Sequence, residues 1–429
     1  MTLIDLGELR ADPVPAPTPR RRPILRRPLR MLLVGAVALV TLAAAAPAAG
    51  RVRAVVPGAP DAEAFLAGDL LLIARPAEGV TDGSRDLVAY PLPERAATTA
   101  QRPAPRWRVR VPVVGELWRV AAADDALVLS ANIAPDGEPE TVVLDAATGR
   151  LRWRQPGFSQ LDASGRLLLE RPVGQRTVSA VDLASGRTIW STPGPLPPGA
   201  QYRMRDGIID RVLLLGYDGT AELRDAATGA VVRRATVTRG VATPEQSRHQ
   251  VVGDLLIVMD GAVLRAFDLE RLEPRWSVDA PQVSYVLPCG GVLCADTAPG
   301  AIQALDPATG VTRWTAPAWS GVLASGAGRV LVTTSEPAGE VYAALDADTG
   351  AVVAEWGTWQ PMASAGAERP PVSYRRADDG RLVVVEWDAA VGPRLIGVID
   401  DASGVCQSGE DAMVCRRRDG SFGVWRWRR

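Results

Sequence analysis

The sequence contains no lysine, a single histidine and only four cysteines among 429 residues. Without lysine there is no amine to form a Schiff base and no Gly-Lys phosphate-binding loop. Histidine-dependent acid–base chemistry would have to run through His249, which lies in the polar stretch 245–250 and is expected to be solvated. A glycine-rich nucleotide fingerprint is also missing. We therefore expect no enzymatic activity and no cofactor.

Positive charge is concentrated at the start of the chain. Seven arginines lie in residues 1–30, while the remainder carries more acidic than basic residues, and the overall net charge is −1. A surface of that kind does not attract a phosphate backbone. No nucleic-acid partner is expected.

Residues 1–30 are rich in arginine and proline and are predicted to be a disordered cytoplasmic tail. Residues 31–49 follow without a charge, and as a helix they would extend about 28 Å, close to the thickness of a hydrocarbon core. Because the arginines precede this run, they place its first end in the cytoplasm. We expect a transmembrane helix over 31–49, a linker over 50–62 and an extracytoplasmic folded domain over 63–429.

Two other interpretations of residues 31–49 remain open. Ala46–Ala48 offers a small-x-small cleavage site, which would release the domain as a secreted protein after cleavage near Ala48. Arg21–Leu25 loosely fits a twin-arginine export signal. We favour a permanent signal-anchor in the cell membrane because the tail is long and the apolar run exceeds a typical signal core.

The motif Asp-x-x-Thr/Ser-Gly recurs along the rest of the chain. In three copies a tryptophan follows the aspartate by eight residues, as in Asp306 to Trp314. Asp268 keeps the spacing to Trp276 without the glycine, and with it the aspartates lie 37 to 54 residues apart. A period near forty residues indicates a repeat architecture. The predicted turn residues are Asp145, Gly149, Asp182, Gly186, Asp225, Gly229, Asp306, Gly310, Asp346, Gly350, Asp400 and Gly404.

Each motif follows an alternating apolar run, such as 301–305, which predicts a strand with one buried face. The aspartate and glycine provide a tight turn, and the run to the tryptophan is the next strand. Each unit would hold about four short antiparallel strands, and packing such units around an axis covers both sheet faces. The sequence therefore predicts an all-β, monomeric β-propeller of eight blades, with seven as the alternative.

This pattern resembles the pyrroloquinoline-quinone-like (quinoprotein-type) β-propeller repeat over roughly residues 60–429, and is most similar to short, non-enzymatic scaffold members. In one unit Arg233 stands where the tryptophan is expected, so that blade is predicted to be the weakest, and a tryptophan there neutral or stabilising. The resemblance implies that tryptophans dock neighbouring blades, namely Trp107, Trp153, Trp190, Trp276, Trp314 and Trp356.

The four cysteines form two close pairs in sequence. Cys289 and Cys294 flank a predicted hairpin turn, and Cys406 and Cys415 flank a second turn-like segment. Outside the membrane, two such pairs indicate two local disulfides. Free buried thiols are the alternative.

Together these features predict a membrane-anchored propeller that binds or scaffolds another envelope protein or a peptide. An extracellular ligand or carbohydrate sensor is a second interpretation. A quinone-dependent dehydrogenase is a third, because the resemblance implies a quinone and a calcium ion in the central channel of the family's enzymes. The sequence offers no Asn/Glu/Asp constellation for such an ion, so no metal site is expected.

Overall fold

The structure is a computed structural model that describes residues 49–50, 52–79, 84–94, 99–111, 116–132, 139–172, 176–194, 199–216, 218–237, 247–280, 283–297, 300–364 and 370–427. Every regular element in these ranges is a β-strand, and they contain no helix with the length and apolarity needed to cross a membrane. The predicted tail and, except for Ala49, the predicted span lie outside the described residues. Residues 49–429 form one compact unit.

Two short strands open the described chain, β1 (Ala49–Gly50) and β2 (Ala54–Val56). Seven antiparallel four-stranded units follow, which we name blades 1 to 7 in chain order; the first six are separate sheets, and the seventh is part of an eight-stranded sheet. Blades 1 to 3 comprise β3 (Glu63–Ala67), β4 (Leu70–Pro76), β5 (Arg85–Pro91), β6 (Trp107–Val111); β7 (Glu116–Ala123), β8 (Ala126–Asn132), β9 (Pro139–Asp145), β10 (Leu151–Pro156); and β11 (Phe158–Leu161), β12 (Leu167–Arg171), β13 (Thr177–Val181), β14 (Thr188–Pro193).

Blades 4 to 7 repeat the same order of four strands. They comprise β15 (Gln201–Arg205), β16 (Ile208–Leu215), β17 (Thr220–Asp225), β18 (Val231–Thr236); β19 (Ser247–Val252), β20 (Leu255–Asp260), β21 (Val263–Asp268), β22 (Pro274–Asp279); β23 (Val283–Cys289), β24 (Val292–Thr297), β25 (Ala301–Leu305), β26 (Thr312–Ala316); and β27 (Gly321–Gly326), β28 (Arg329–Glu336), β29 (Gly339–Asp346), β30 (Val352–Pro361). First strands of neighbouring blades contact one another, for example β19 with β15 and β23, so they lie innermost.

Two further sheets complete the architecture. Blade 8 contains β32 (Val372–Arg376), β33 (Leu382–Asp388) and β34 (Gly392–Ile399), and blade 9 contains β35 (Ala402–Ser408), β36 (Ala412–Arg417) and β37 (Phe422–Arg426). The end of β30 pairs with β32 and thereby serves as the inner strand of blade 8. The short β31 (Ala363–Ser364) pairs in parallel with β35 on the inner side of blade 9.

The described blades form a closed ring of nine. Nine hydrophobic clusters lie between neighbouring blades, one for each pair. The closing cluster packs Leu71 and Val88 of blade 1 against Val414 and Val424 of blade 9. The β-propeller prediction is confirmed, but the expected count of eight or seven is wrong. Blades 8 and 9 were not recognised because neither carries the full Asp-x-x-Thr-Gly and tryptophan pattern.

The residues 50–62 are not a linker. β2 pairs antiparallel with β37, Ala54 opposite Val424, and is the outermost strand of blade 9. β1 pairs in parallel with β34, so Ala49, assigned to the end of the apolar span, already belongs to a sheet. The pairing closes the ring between the first and last blades and covers an edge that would otherwise be open.

Asp400 and Gly404 do not form a repeat turn. They lie at the junction between β34 and β35, and Gly404 (φ 105°) sits where the pairing of β35 is irregular. The equivalent turn of blade 8 is Asp388–Gly392, where the Asp388 carboxylate accepts the backbone N–H groups of Ala390 (2.7 Å) and Val391 (3.1 Å). This turn has no threonine, so it does not match the repeat motif.

Candidate binding site at the channel mouth

The repeat turns hold their aspartates in structural roles. In blade 6 the Asp306 carboxylate accepts the backbone N–H of Ala308 (2.9 Å) and both the N–H (3.0 Å) and the hydroxyl (3.2 Å) of Thr309. Its second oxygen pairs with Arg313. The Arg313 hydrogen bond, followed by these turn donors, lowers the pKa of Asp306 below its usual value. An aspartate engaged in this way closes a turn and is not available as a general base.

Each such turn receives a tryptophan from the blade before it. Trp314 of blade 6 is 7% exposed, and its indole N–H donates to the Ala347 carbonyl (2.9 Å) in the turn of blade 7. Its ring covers Gly350, where a Cβ would come within 2.6 Å of the ring. Glycine is therefore required at position 350 for two reasons. The backbone has a positive φ of 71° there, and a side chain would collide with the ring.

The same docking contact recurs around the ring. The indole N–H always donates to the carbonyl of the residue after the turn aspartate, and the ring always covers the turn glycine. The tryptophan–glycine pairs are Trp107 with Gly149, Trp153 with Gly186, Trp190 with Gly229, and Trp276 with Gly310.

Trp356 docks differently. The cross-strand position that Trp314 holds opposite Ala304 is held in blade 7 by Ala354, opposite Ala344. Trp356 lies two residues later and reaches Gly392 of blade 8 only with the outer edge of its ring. Its carbonyl accepts the indole N–H of Trp359 (3.0 Å). The blade 7–8 junction is instead filled by an aromatic stack of Tyr342 on Trp387, with ring centroids 4.3 Å apart.

The junction between blades 4 and 5 lacks both the tryptophan and the glycine of the docking contact. Arg233 takes the tryptophan position, and its Nε donates to the Arg271 carbonyl (3.1 Å). In the receiving turn of blade 5, Leu272 takes the glycine position, with φ 54° and a buried side chain. A tryptophan at 233 would meet that leucine, so the expectation that it would be neutral or stabilising does not fit the structure.

A buried arginine links blades 4 and 5 at this junction. Arg203, 2% exposed, forms a two-pronged pair with Asp210 (2.9 and 2.6 Å) and also bonds Asp254 (3.0 Å) and Glu270 (2.6 Å) of blade 5. Burial alone would raise the pKa of Asp210, but the Arg203 hydrogen bond and charge and nearby Arg211 outweigh it and lower that pKa. Among the described junctions from blade 2 to blade 7, only that between blades 4 and 5 lacks a docked tryptophan. Charge-assisted hydrogen bonds stabilise this junction instead.

Both predicted disulfides are present. Cys289 is bonded to Cys294 across the hairpin between β23 and β24, and Cys406 is bonded to Cys415 across β35 and β36. The first pair is almost completely buried and belongs to the core between blades 6 and 7. Both bonds close short loops within one blade, so they stabilise individual blades and do not tie blades together.

His249 is not solvated. It lies on β19, the inner strand of blade 5, with its side chain fully buried. Burial lowers the pKa of His249 to about 4, against a smaller opposing effect of the Gly199 backbone. The residue is a neutral core histidine at physiological pH, and the sequence misplaced it because a polar stretch precedes it.

A cavity of about 700 Å³ opens where the central channel reaches the face of the ring that carries the repeat turns. We name it the channel mouth. Its walls are the hairpins between the first and second strands of blades 9, 1, 3 and 4 and the inner strand β7 of blade 2, so it spans the junction that β2 closes. Residues of mixed character line it, including Leu66, Arg119, Asp162, Met204 and Glu410.

The charges of the channel mouth fall into two groups. Asp162 is bonded to Ser164, Arg166 and the Ile209 N–H (3.1 Å), and Asp411 is paired with Arg426. The side chains of Arg119 and Glu410 have no hydrogen-bond or ion-pair partner among the residues that the structure describes. Paired groups maintain the wall, whereas these two charged side chains line the cavity without such a partner. Sequence analysis missed both, because strand β7 of blade 2 and the first hairpin of blade 9 line one cavity but are far apart in the chain.

The comparisons with known proteins agree with the repeat geometry. A family model described as outer membrane protein assembly factor BamB matches residues 96–240 and 174–297. The matched residues, 96–297, are repeats of the PQQ-like β-propeller family. No curated protein sequence matches the chain.

Solved structures similar to this PQQ-like propeller have low sequence identity to it. BamB from Moraxella catarrhalis is 14% identical, with 87% of this chain and 96% of that chain covered and a TM-score of 0.44. The computationally designed Ika8 protein is 15% identical, with 73% and 98% covered and a TM-score of 0.47. A europium-containing methanol dehydrogenase is 13% identical, with 80% and 85% covered and a TM-score of 0.43.

The inner strands of the described channel expose side chains of mixed character, among them the apolar Trp118, Phe158, Tyr285 and Leu323 and the cationic Arg205 and Arg248. The described part of the chain contains no group of three His, Cys, Asp or Glu side chains placed to hold a metal ion. A calcium ion requires several oxygen ligands, so the described residues offer no site for the ion that accompanies the quinone in the family's enzymes.

Proposed function

We propose that this PQQ-like propeller is a membrane-anchored, extracytoplasmic binding module of the cell envelope, and that its channel mouth takes a peptide segment of another envelope protein. The charged side chains of Arg119 and Glu410, which have no partner among the described residues and line one preformed cavity, carry this proposal. Leu66 and Met204 add apolar contact area beside them. A preformed cavity that combines charged and apolar groups suits ligand binding.

The membrane anchor in this proposal is supported by the sequence. The arginine cluster in residues 20–30 precedes a long uncharged run, which favours a cytoplasmic N-terminus and an external propeller. A reporter that works only outside the cytoplasm should be active when fused after Arg429 and inactive when inserted within residues 1–19. A mature chain that starts near Ala49 would contradict the anchor in favour of a cleaved signal.

Site-specific photo-crosslinking tests the binding proposal. A benzoylphenylalanine in place of Met204 at the mouth should give a discrete adduct with an envelope protein, and one in place of Ile189 on the outer rim should not. Arg119→Glu should weaken the Met204 adduct, whereas Arg108→Glu, exposed on the outer strand β6, should leave it unchanged. Equal adducts from both positions, or none from Met204, would show that the mouth is not the binding site.

A small-molecule sensor is the second candidate because of one aromatic pair. Trp118 of blade 2 and Phe158 of blade 3 are both exposed on inner strands, and their rings meet edge to face at 6.2 Å between centroids. Exposed aromatic faces in a channel can stack on a sugar or another flat ligand. Quenching of tryptophan fluorescence by a panel of oligosaccharides, lost in Trp118→Ala, would favour this candidate over peptide binding.

A further inference from the structure

Strand β7 of blade 2 lines the channel mouth with four consecutive residues, Arg119 to Ala122. The strand order of its sheet is β10, β9, β8 and β7, so β7 is an edge strand that pairs with β8 on one side only. An edge strand presents unpaired backbone N–H and C=O groups, which can pair with another chain. β7 therefore offers main-chain hydrogen bonds to a ligand wherever the rest of the ring does not use them.

The register of the β7–β8 hairpin shows which backbone groups point away from β8. Ala123 pairs with Ala126 across a two-residue turn, as a hydrogen-bonded pair does, and bonded and non-bonded pairs alternate from there along the strand. Val120 and Ala122 stand at the non-bonded positions and direct their N–H and C=O groups away from β8. No described residue donates to or accepts from these outward groups.

Outward N–H groups on other inner strands are capped by glutamine. In blade 1 Leu66 lies next to the turn as Ala122 does, and its N–H donates to the side-chain carbonyl of Gln407 of blade 9 (2.7 Å). In blade 6 the N–H of Val286 donates to the side-chain carbonyl of Gln250 of blade 5 (2.8 Å). The fold thus satisfies such a group with an amide oxygen from the preceding blade.

Blade 2 has no such cap among the described residues. The side chains of β3 in the core between blades 1 and 2 are Phe65 and Ala67, and neither can accept a hydrogen bond. Ala122 itself is exposed in the cavity wall. Its outward N–H and C=O groups therefore lie at an exposed residue without the amide partner that the equivalent group of blade 1 has.

A main-chain segment already occupies an inner edge next to the channel mouth. β31 pairs in parallel with β35 of blade 9, with Ala363 opposite Gln407 and Ser364 opposite Ser408. It lies on the inner side of that sheet, and the Ser408 hydroxyl donates to the Ala363 carbonyl (3.2 Å). Gly409, the next residue of blade 9, lines the mouth. The ring therefore accommodates an extended chain on the edge of an inner strand.

We infer that the peptide segment bound at the channel mouth adds to β7 as a further β-strand, paired with the outward N–H and C=O groups of Ala122. This inference rests on the proposed function and defines the ligand as an extended segment recognised through its backbone. Strand addition takes affinity from main-chain hydrogen bonds and specificity from adjacent side chains, here with Arg119 and Glu410 in the same cavity. A proline at the paired position of the ligand is excluded, because it has no N–H.

Substitution of Ala122 tests strand addition in the photo-crosslinking assay with benzoylphenylalanine at Met204. Ala122→Pro removes the outward N–H but no bond of the β7–β8 ladder, and an edge strand tolerates proline at such a position. Val251→Pro is the matched control, because Val251 lies next to the turn in the same way on β19 of blade 5, outside the mouth. All variants are made in the full chain, and thermal unfolding checks that each one folds.

Ala122→Pro should lower the yield of the Met204 adduct about fivefold, as expected for one lost hydrogen bond, and Val251→Pro should leave it unchanged. Ala122→Ser keeps the N–H and should lower the yield less. If Ala122→Pro leaves the adduct unchanged, or both Ala122 variants lower it equally, strand addition is wrong while the channel mouth remains the binding site. If the unsubstituted chain gives no adduct at Met204, the proposed function fails and this inference fails with it.

Hydrogen–deuterium exchange of the purified adduct is a second measurement that does not depend on the folding of Ala122→Pro. The N–H of Ala122 should exchange at least about tenfold more slowly in the adduct than in the free chain, because an added strand binds it. The N–H of Val286, which Gln250 already caps in blade 6, should exchange equally in both. An Ala122 amide that exchanges at the same rate in the adduct and the free chain would overturn strand addition.

Discussion

Arg233 and Leu272 replace the tryptophan and the glycine of the docking contact at the same junction. The guanidinium of Arg233 donates to the carbonyl next to Leu272 (3.1 Å), and Leu272 holds the left-handed backbone that glycine holds in neighbouring turns. In those turns a Cβ would lie only 2.5 to 2.7 Å from the docked ring. A leucine in the turn and a tryptophan on the preceding blade are therefore mutually exclusive.

A double-mutant cycle should reveal this coupling. Arg233→Trp alone should destabilise the ring because its ring meets the leucine, and Leu272→Gly alone should lose a buried side chain, about 2–5 kcal/mol less any relief of backbone strain. The double variant should be more stable than the sum of the single effects by about 0.5–3 kcal/mol. Chemical denaturation of all four proteins measures it, and strict additivity would contradict the docking geometry.

The docked tryptophans should not be equivalent. Trp314→Ala removes a ring that is 7% exposed and its hydrogen bond to Ala347, and should cost about 3–5 kcal/mol as other large-to-small core changes do. Trp356→Ala should cost clearly less, because Trp356 is half-buried and touches the next turn only with its ring edge. Equal losses in thermal unfolding would refute the distinction.

Arg203 should stabilise the blade 4–5 junction more than its neighbour does. Arg203→Met leaves Asp210, Asp254 and Glu270 facing one another without their shared cation. We expect a loss of up to about 3 kcal/mol, below the full value for a buried pair because these carboxylates are partly exposed. Arg205→Met is the control, since Arg205 is 55% exposed and bonds only Asp254, and it should cost less than about 1 kcal/mol.

The free energy of unfolding should decrease as the pH falls from 6.5 to about 4, because His249 titrates in this range. Because burial lowers its pKa from 6.5 to about 4, protonation favours the unfolded chain. The contribution of His249 is complete above pH 6.5 and is lost as the pH falls towards 4, roughly 3 kcal/mol in all. His249→Phe should abolish this part of the pH dependence in urea denaturation, and an unchanged profile would contradict a buried neutral histidine.

The turn aspartates affect a lower pH range. The Arg152 hydrogen bond, with those of Thr148, lowers the pKa of Asp145 from 3.8 to about 2. Their stabilising effect is present above pH 4 and is lost only as the pH falls from about 4 to 2. The two windows are separate, so the loss below pH 4 should persist in the His249→Phe variant.

Most of the fold could be predicted from the repeat motif. The spacing from Asp306 to Trp314 predicts a turn and a strand from local chemistry alone, and these parts are present in the structure. Blade 8 was not predicted because Asp388–Gly392 forms the same turn without threonine. The three-residue strand β2 has no recognisable local pattern, and its partner Val424 lies at the other end of the chain.

The candidate site was beyond sequence analysis for a related reason. Arg119 and Glu410 belong to no motif, and they line one cavity only because blades 2 and 9 lie near each other in a closed ring. His249 was misread because burial on an inner strand depends on neighbouring blades rather than on adjacent residues. Local turn chemistry is thus readable from the sequence, whereas contacts across the ring are not.

The closure of the ring by β2 is the claim on which the channel mouth depends, since the mouth spans blades 9 and 1. Hydrogen–deuterium exchange of residues 54–56 tests it most directly. The amide of Val55 donates to the Gln101 carbonyl (2.9 Å), and Ala54 and Val56 pair with β37. We expect all three amides to exchange as slowly as those of the central strand β20. Exchange at the rate of an unstructured peptide would show that these residues are a linker and that the ring is not closed in this way.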